Sequence, residues 1–328
     1  MKILVTGGAG FLGQRLIGVL LAQGSVALDG RPQRFDRIVC ADRAPGALDD
    51  ARVEQRVVDV GAPGAFDGLV DAHTGVVVHL AAVVSGTAEA DFDLGMRVNL
   101  DGTRGLLEAC RAAGAAPRLL FSSSIAVFGG ALPPVLDDAT TPAPQGSYGM
   151  QKLVGELLVA DYARRGWIDG RSVRVPTVVV RPGAPNGAAS GFASAIVREP
   201  LAGREAVLPV DESTRMWVAS PRAVAAMLLH ALDLPAARWG AHGALNLPGL
   251  TVSMRDALDA LGRIAGATVA SRVVRRPDAA VERLVSTWPA AFDAARARAL
   301  GFAADADFDA IVRAYLEDHP EAIAPGER

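Results

Sequence analysis

The chain has 328 residues, half of them apolar and 21% charged, with 33 Lys and Arg against 36 Asp and Glu for a net charge of −3. Such content fills a large α/β core and excludes disorder, collagen and coiled coil, while the near-balanced charge offers no basic footprint to nucleic acid or a membrane surface. Cys40 and Cys110 form no CxxC pair and no apolar run nears about eighteen residues, so neither a metal site nor a membrane span is expected. The short lead before Gly7 is no signal peptide, which makes a cytoplasmic setting the expectation.

In chain order, short β-branched runs alternate with helical periodicity. Strands are predicted at 3–6, 37–41, 55–59, 76–80, 118–121 and 173–180, mostly apolar on both faces, as a parallel sheet covered by helices requires. Between them, 11–22, 99–113 and 148–165 carry apolar residues at three- and four-residue spacing, the pattern of crossover helices. Residues 29–36 read as a polar loop. Beyond 181 come a Pro- and Gly-rich insertion at 182–191, a short helix at 192–198, a strand at 206–210, and helices at 221–232, 253–264, 279–285, 289–300 and 308–317. The βαβ rhythm predicts a doubly wound parallel sheet with a smaller mixed α/β lobe interleaved in the C-terminal half. The expected division is a nucleotide domain of 1–181 with returning segments at about 215–245, and a substrate lobe of 182–214 and 246–328.

Gly7-Gly8-Ala9-Gly10-Phe11-Leu12-Gly13 follows the first predicted strand and opens the first helix. In that context the spacing is a dinucleotide-binding turn, because glycine lets the backbone approach a pyrophosphate and the free amides of the helix start face the phosphates. Asp42, closing the second strand, can accept both hydroxyls of an adenosine ribose and would repel a 2′-phosphate, which favours NAD over NADP. Arg43 beside it is the opposing signal. Asp59, closing the third strand, is a candidate partner for the adenine amino group or a plain turn residue. His79 ends an apolar run and reads as a core imidazole.

Lysine occurs only at positions 2 and 152, and Lys152 follows Tyr148 by four residues, so both project from one helix face. A neighbouring ammonium lowers a phenol's pKa from about 10 and can also bind a ribose, which makes Tyr148 a usable base near neutrality. Upstream, Ser122-Ser123-Ser124 leaves the fifth strand at the sheet's carboxyl end, where open α/β sheets bind ligands. A serine hydroxyl there can hold a substrate oxygen as it alternates between alcohol and carbonyl.

TGGAGFLG at 6–13, HLAA at 79–82, VNLDGT at 98–103, SSSIAVFG at 122–129 and YGMQK at 148–152 follow one another as the successive motifs of the extended short-chain dehydrogenase/reductase family do, and roughly the first 180 residues resemble that family. The resemblance implies a Rossmann-type fold and a catalytic set of Ser124, Tyr148 and Lys152. It implies an NAD site formed by Gly7, Gly10, Phe11, Leu12, Asp42, Asp59, Val60, Leu80, Ala81, Ala82, Asn99, Tyr148, Lys152 and Pro182, with Asn99 both structural and a proton relay. A homodimer packed through the helices at 99–113 and 148–165 is also implied. Phe128 departs from the tyrosine that many members carry at that place.

After the sixth strand, RPGAPNGAASGF at 181–192 lacks the tyrosines of the RYxNxYGP-like segment found in the family's nucleotide-sugar epimerases. Residues 181–203 and TRMWVASPRAV at 214–224 are instead similar to members that oxidise the 2-hydroxyl of the four-carbon sugar acid D-erythronate with NAD. A small acid needs a cation for its carboxylate and a few hydroxyl partners. Arg215 is the candidate for the carboxylate, with Arg181 and Arg198 in reserve; Ser85 and Asn186 join Ser124 and Tyr148 as substrate contacts. The alternatives are a sugar epimerase or dehydratase that retains its NAD, and a non-catalytic dinucleotide sensor.

Overall fold

In the computed structural model, which describes residues 1–183, 188–240 and 243–324, seven strands form the central sheet: β1 (Lys2–Thr6), β2 (Arg37–Asp42), β3 (Val53–Val57), β4 (Thr74–His79), β5 (Arg118–Ser124), β6 (Asp169–Val175) and β7 (Ala244–Asn246). Their order is β7-β6-β5-β4-β1-β2-β3, and every pairing is parallel. The expected doubly wound sheet is present. All of β1 is buried, as a strand covered on both faces must be. The order reverses between β1 and β4, and it is beyond the carboxyl ends of such strands that open α/β sheets bind ligands.

The chain divides into two compact units, Met1–Val127 with Pro144–Val175 and Ala225–Leu247, and Phe128–Ala143 with Pro176–Val224 and Pro248–Arg328. In the first, α1 (Phe11–Gln23), α2 (Gly102–Ala113) and α3 (Ser147–Arg164) serve the sheet. α2 begins later than its periodicity predicts because Met96–Asp101 winds as a wider π turn, a form that often marks functional sites. Leu4, Val77, Leu106, Leu107, Phe121 and Val159 are among the buried residues of this core. Each large side chain there contributes about 1.5–3 kcal/mol by leaving water.

Residues read as a polar loop form half of a hairpin, Ser25–Leu28 against Arg31–Arg34. Asp29 and Gly30 take φ of 55° and 74°, the two-residue turn whose twist suits a hairpin. The Asp-Gly dipeptide was the local signal, and the charged residues around it masked it. The amides of Asp29 and Gly30 bond to Asp233 at the end of the helix Pro221–Asp233. Arg118 donates to the carbonyl of Leu232 at 2.7 Å and the fully buried Arg171 to that of Ala231 at 2.9 Å, placing two cations at the negative end of that helix.

The strand predicted at 173–180 is broken at Pro176, which has no N–H for the ladder. β6 therefore ends at Val175, and Thr177–Val178 pairs with Arg215–Ala219 in the second unit, where Leu250–Ser253 adds a third, antiparallel strand. The helix predicted at 289–300 shrinks to Ala295–Ala299, because Phe292 pairs with Leu136 in an extended bridge. Ala206–Leu208 pairs with Val273–Arg275. The helix Met254–Ala265 opens with a reciprocal Ser253–Asp256 cap, and its Leu261 joins Ile196, Leu201 and Val312 in the core of this unit. Among the described residues no helix is long and apolar enough to cross a membrane.

Gly155 brings α3 down onto β5, since a Cβ there would stand 2.6 Å from Cζ of the fully buried Phe121 ring. Gly155→Ala should lose about 1–3 kcal/mol through overpacking. Gly18 of α1 has nothing within 4 Å of such a Cβ, and Gly18→Ala should gain about 0.5–1 kcal/mol. Calorimetric unfolding midpoints that move in opposite directions are the expected outcome.

Candidate active site

Several glycines of the first turn answer to the protein itself. A Cβ on Gly7 would lie 2.7 Å from the Ala81 nitrogen, one on Gly8 would lie 2.7 Å from Cys40 Sγ, and one on Gly13 would overlap the Gly7 carbonyl. Gly10 is different. It is exposed, and a Cβ there would meet only the Gly7 oxygen at 3.2 Å. At this residue α1 starts with neither a side-chain cap nor an acid in its first turn. Open space before uncapped amides is what a diphosphate needs.

Asp42 Oδ2 accepts from the Ala9 amide at 3.0 Å and Oδ1 from the Arg43 amide at 2.7 Å, which fixes its carboxylate beside the glycine turn with lone pairs to spare. Asp59 Oδ2 accepts from Arg97 at 2.8 Å and Oδ1 from the Gly61 amide at 2.9 Å, and this guanidinium holds its carboxyl below the usual range. Val60 beside it is buried. The Leu80 amide bonds to the Thr6 carbonyl at 3.0 Å. Asn99, buried in the π turn, accepts from the Val83 amide at 2.9 Å and donates to the Val83 carbonyl at 3.1 Å and to Gln151 Oε1 at 2.8 Å. Its amide clasps the loop that carries Leu80, Ala81 and Ala82.

At the end of β5 the three serines divide their work. The Ser122 carbonyl accepts from Lys152 Nζ at 2.9 Å, the Ser123 hydroxyl donates to Glu156, and the Ser124 oxygen accepts from the Ala126 amide at 3.1 Å. Lys152 is 3% exposed, with Nζ 4.8 Å from the centre of the Phe121 ring and 5.7 Å from that of Tyr148. Burial pushes its ammonium down to about 8, against the pull of Glu156. Gly149 lets the first turn of α3 close on the turn after β5, since a Cβ there would overlap the Ala126 carbonyl oxygen. Tyr148, half-buried, stands next to that contact. The i, i+4 spacing and the strand-end serines thus meet at the carboxyl edge of the sheet.

Glu156 and Arg174 were missed in the sequence. Arg174 grips the Glu156 carboxylate with two bonds of 2.9 and 2.8 Å. Glu156 lies four residues beyond Lys152, so an extension of the helical face would have shown it; its partner on β6 has no local signal. Ser85 opens the helix Ser85–Ala90. Arg215 begins its strand exposed, its side chain makes no hydrogen bond among the described residues, and it faces Asp256 electrostatically. Arg181 donates to the Val178 carbonyl at 3.0 Å, and Arg198 donates to the Arg181 carbonyl at 2.9 Å and pairs with Glu199. Phe128 packs edge-on against Phe292. Pro182 belongs to the second unit, and Asn186 lies outside the described residues. Among the described residues no group of three His, Cys, Asp or Glu could hold a metal.

Residues 3–241 match the model of the NAD dependent epimerase/dehydratase family, and the chain belongs to that family. It is 54% identical over 319 residues to a D-erythronate dehydrogenase of Cupriavidus necator, covering 97% of this chain and 98% of that protein. Identity to a D-erythronate dehydrogenase of Haemophilus influenzae is 42% over 318 residues, with coverage of 97% and 99%. A crystal structure of a nucleoside-diphosphate-sugar epimerase from Agrobacterium tumefaciens is similar at a TM-score of 0.91 and 43% identity, covering 98% of this chain and 95% of that one. The expected cofactor, NAD, and the expected oxidoreductase class agree with the family and with the dehydrogenase relatives.

With two lysines in the chain, lysine-selective isotope labelling resolves Lys152 directly. Its ammonium should titrate at about 8. Glu156→Gln removes the negative charge that favours the protonated form, so the midpoint should fall further. An unchanged midpoint would separate Glu156 from Lys152 electrostatically.

Proposed function

We propose that this protein oxidises the 2-hydroxyl of D-erythronate, or of a closely related small sugar acid, to the 2-oxo acid. The observation that carries the reading is the buried Lys152 ammonium, bonded to the Ser122 carbonyl and set against the Tyr148 ring, in a chain of which two relatives, matched over nearly their whole length, are named D-erythronate dehydrogenases.

Tyr148, as phenolate, takes the hydroxyl proton, and Ser124 holds the same oxygen through its own hydroxyl. Lys152 keeps the phenolate charged and offers its other protons to a ribose. NAD, when bound, supplies the acceptor for the hydride that leaves C2. Gly7, Gly10, Phe11 and Leu12 would hold its diphosphate, Asp42 its adenosine ribose, and Leu80, Ala81 and Ala82 its other ribose. Asp59, Val60, Asn99 and Pro182 complete the proposed cofactor set. The oxidised alcohol loses one proton to Tyr148 and one hydride, so atoms and electrons balance. Arg215 is the proposed carboxylate partner, since Arg181 and Arg198 already have partners in the protein; Ser85 and Asn186 are proposed hydroxyl partners. Leu157, 63% exposed on α3, supports a homodimer that pairs through α2 and α3, and the proposed setting is the cytoplasm.

D-erythronate with NAD should yield reduced nicotinamide in step with the 2-oxo acid. Tyr148→Phe should cut kcat by at least about 10²–10⁴-fold and spare NAD affinity. Arg215→Met should raise KM for the acid about 10–100-fold, the loss of one charge-assisted contact. Conversion of a nucleotide sugar without accumulation of reduced nicotinamide, and inertness toward every small acid, would replace this reading with an epimerase that retains its NAD.

A further inference from the structure

Four buried residues behind the loop at 80–84 are joined in one line. His79, 1% exposed, has Nδ1 2.6 Å from Thr6 Oγ1 and Nε2 3.0 Å from Thr103 Oγ1. Thr103 Oγ1 lies 2.6 Å from the main-chain oxygen of Asn99, and the Ala81 amide reaches Thr6 Oγ1 at 3.4 Å. Chemistry sets the direction of every bond in this line. A carbonyl only accepts, so the single hydroxyl proton of Thr103 goes to Asn99. The Thr103 oxygen must then accept, and its donor is Nε2–H of His79. A neutral imidazole protonated there has a bare Nδ1, which accepts the Thr6 hydroxyl, whose oxygen in turn accepts the Ala81 N–H.

We infer that His79, neutral and protonated on Nε2, is a positioning residue that sets the placement of the loop carrying Leu80, Ala81 and Ala82 relative to the glycine turn and the Asn99 turn. One end of the line holds Ala81 through Thr6. The other holds Asn99, whose side chain clasps Val83 at the far end of the same loop. The missing Cβ of Gly7, 2.7 Å from the Ala81 nitrogen, shows how closely loop and turn approach. Burial and the nearby charge of Lys152 both oppose an imidazolium and hold the ring's pKa down to about 3. The inference rests on the reading of this loop as a cofactor contact.

Thr103→Val is nearly isosteric and removes the acceptor for Nε2–H, while Thr103→Ser restores it. NAD affinity of the full chain, measured by calorimetric titration, needs no substrate. An approximately tenfold weaker Kd in the valine variant, recovered to within about twofold in the serine variant, is expected for loss of one buried hydrogen bond. Unchanged affinity in Thr103→Val alongside a lower unfolding midpoint would make the line purely structural and overturn the inference. Histidine 15N spectra of the unsubstituted protein give a second reading, independent of whether the variants fold. A proton on Nδ1 of His79 would also overturn it. Failure of the unsubstituted protein to bind NAD would remove the cofactor reading and this inference with it, whereas normal NAD binding without turnover of D-erythronate would remove the substrate reading alone.

Discussion

An ammonium taken out of water must be compensated by the groups around it, and at Lys152 that requirement organises the carboxyl edge of the sheet. One carbonyl, two aromatic faces and the field of a carboxylate replace its hydration. Each demands something of its neighbours. The carbonyl belongs to the serine run of β5, so α3 must lie close against that strand, and the glycines at 149 and 155 are what make the approach sterically possible. Glu156 is itself buried beside Lys152, and Arg174 and Ser123 satisfy its oxygens.

The ends of β1 and β4 are built with the same economy. β1 and β4 lie together where the strand order reverses, and their ends carry the glycine turn and the loop after His79. Asn99 holds that loop with both ends of its amide and also reaches Gln151, the residue before Lys152. One buried polar network thus runs from the loop after His79 to the helix of the proposed base. Such networks specify a unique geometry when their members are satisfied; here the Gln151 Nε2 atom has no hydrogen-bond partner among the described residues.

Local features of the site were legible in the sequence because they depend on neighbours in the chain. The glycine turn sits between a strand and a helix, Tyr148 and Lys152 share a helical face, and Ser124 ends a strand; periodicity and position suffice for all three. Contacts between distant segments were not legible. Nothing near Asp59 announces Arg97, and nothing near Glu156 announces Arg174. Periodicity also misled where a backbone constraint intervened, at Pro176 and at the π turn before α2. The hairpin is the opposite case, since the Asp29-Gly30 turn was present and the surrounding charge outweighed it.

Ultraviolet titration of tyrosinate tests the pairing of Tyr148 with Lys152 most directly. The chain has three tyrosines; Tyr162 is pushed up to about 12 by burial and its bond to Glu108, and burial also raises Tyr315. The first tyrosinate to form should therefore belong to Tyr148, vanish in Tyr148→Phe, appear below the ordinary phenol value of about 10, and move upward in Lys152→Met. A Tyr148 that ionises at about 10 or above whether or not position 152 carries an amine would contradict the pairing on which the proposed chemistry depends.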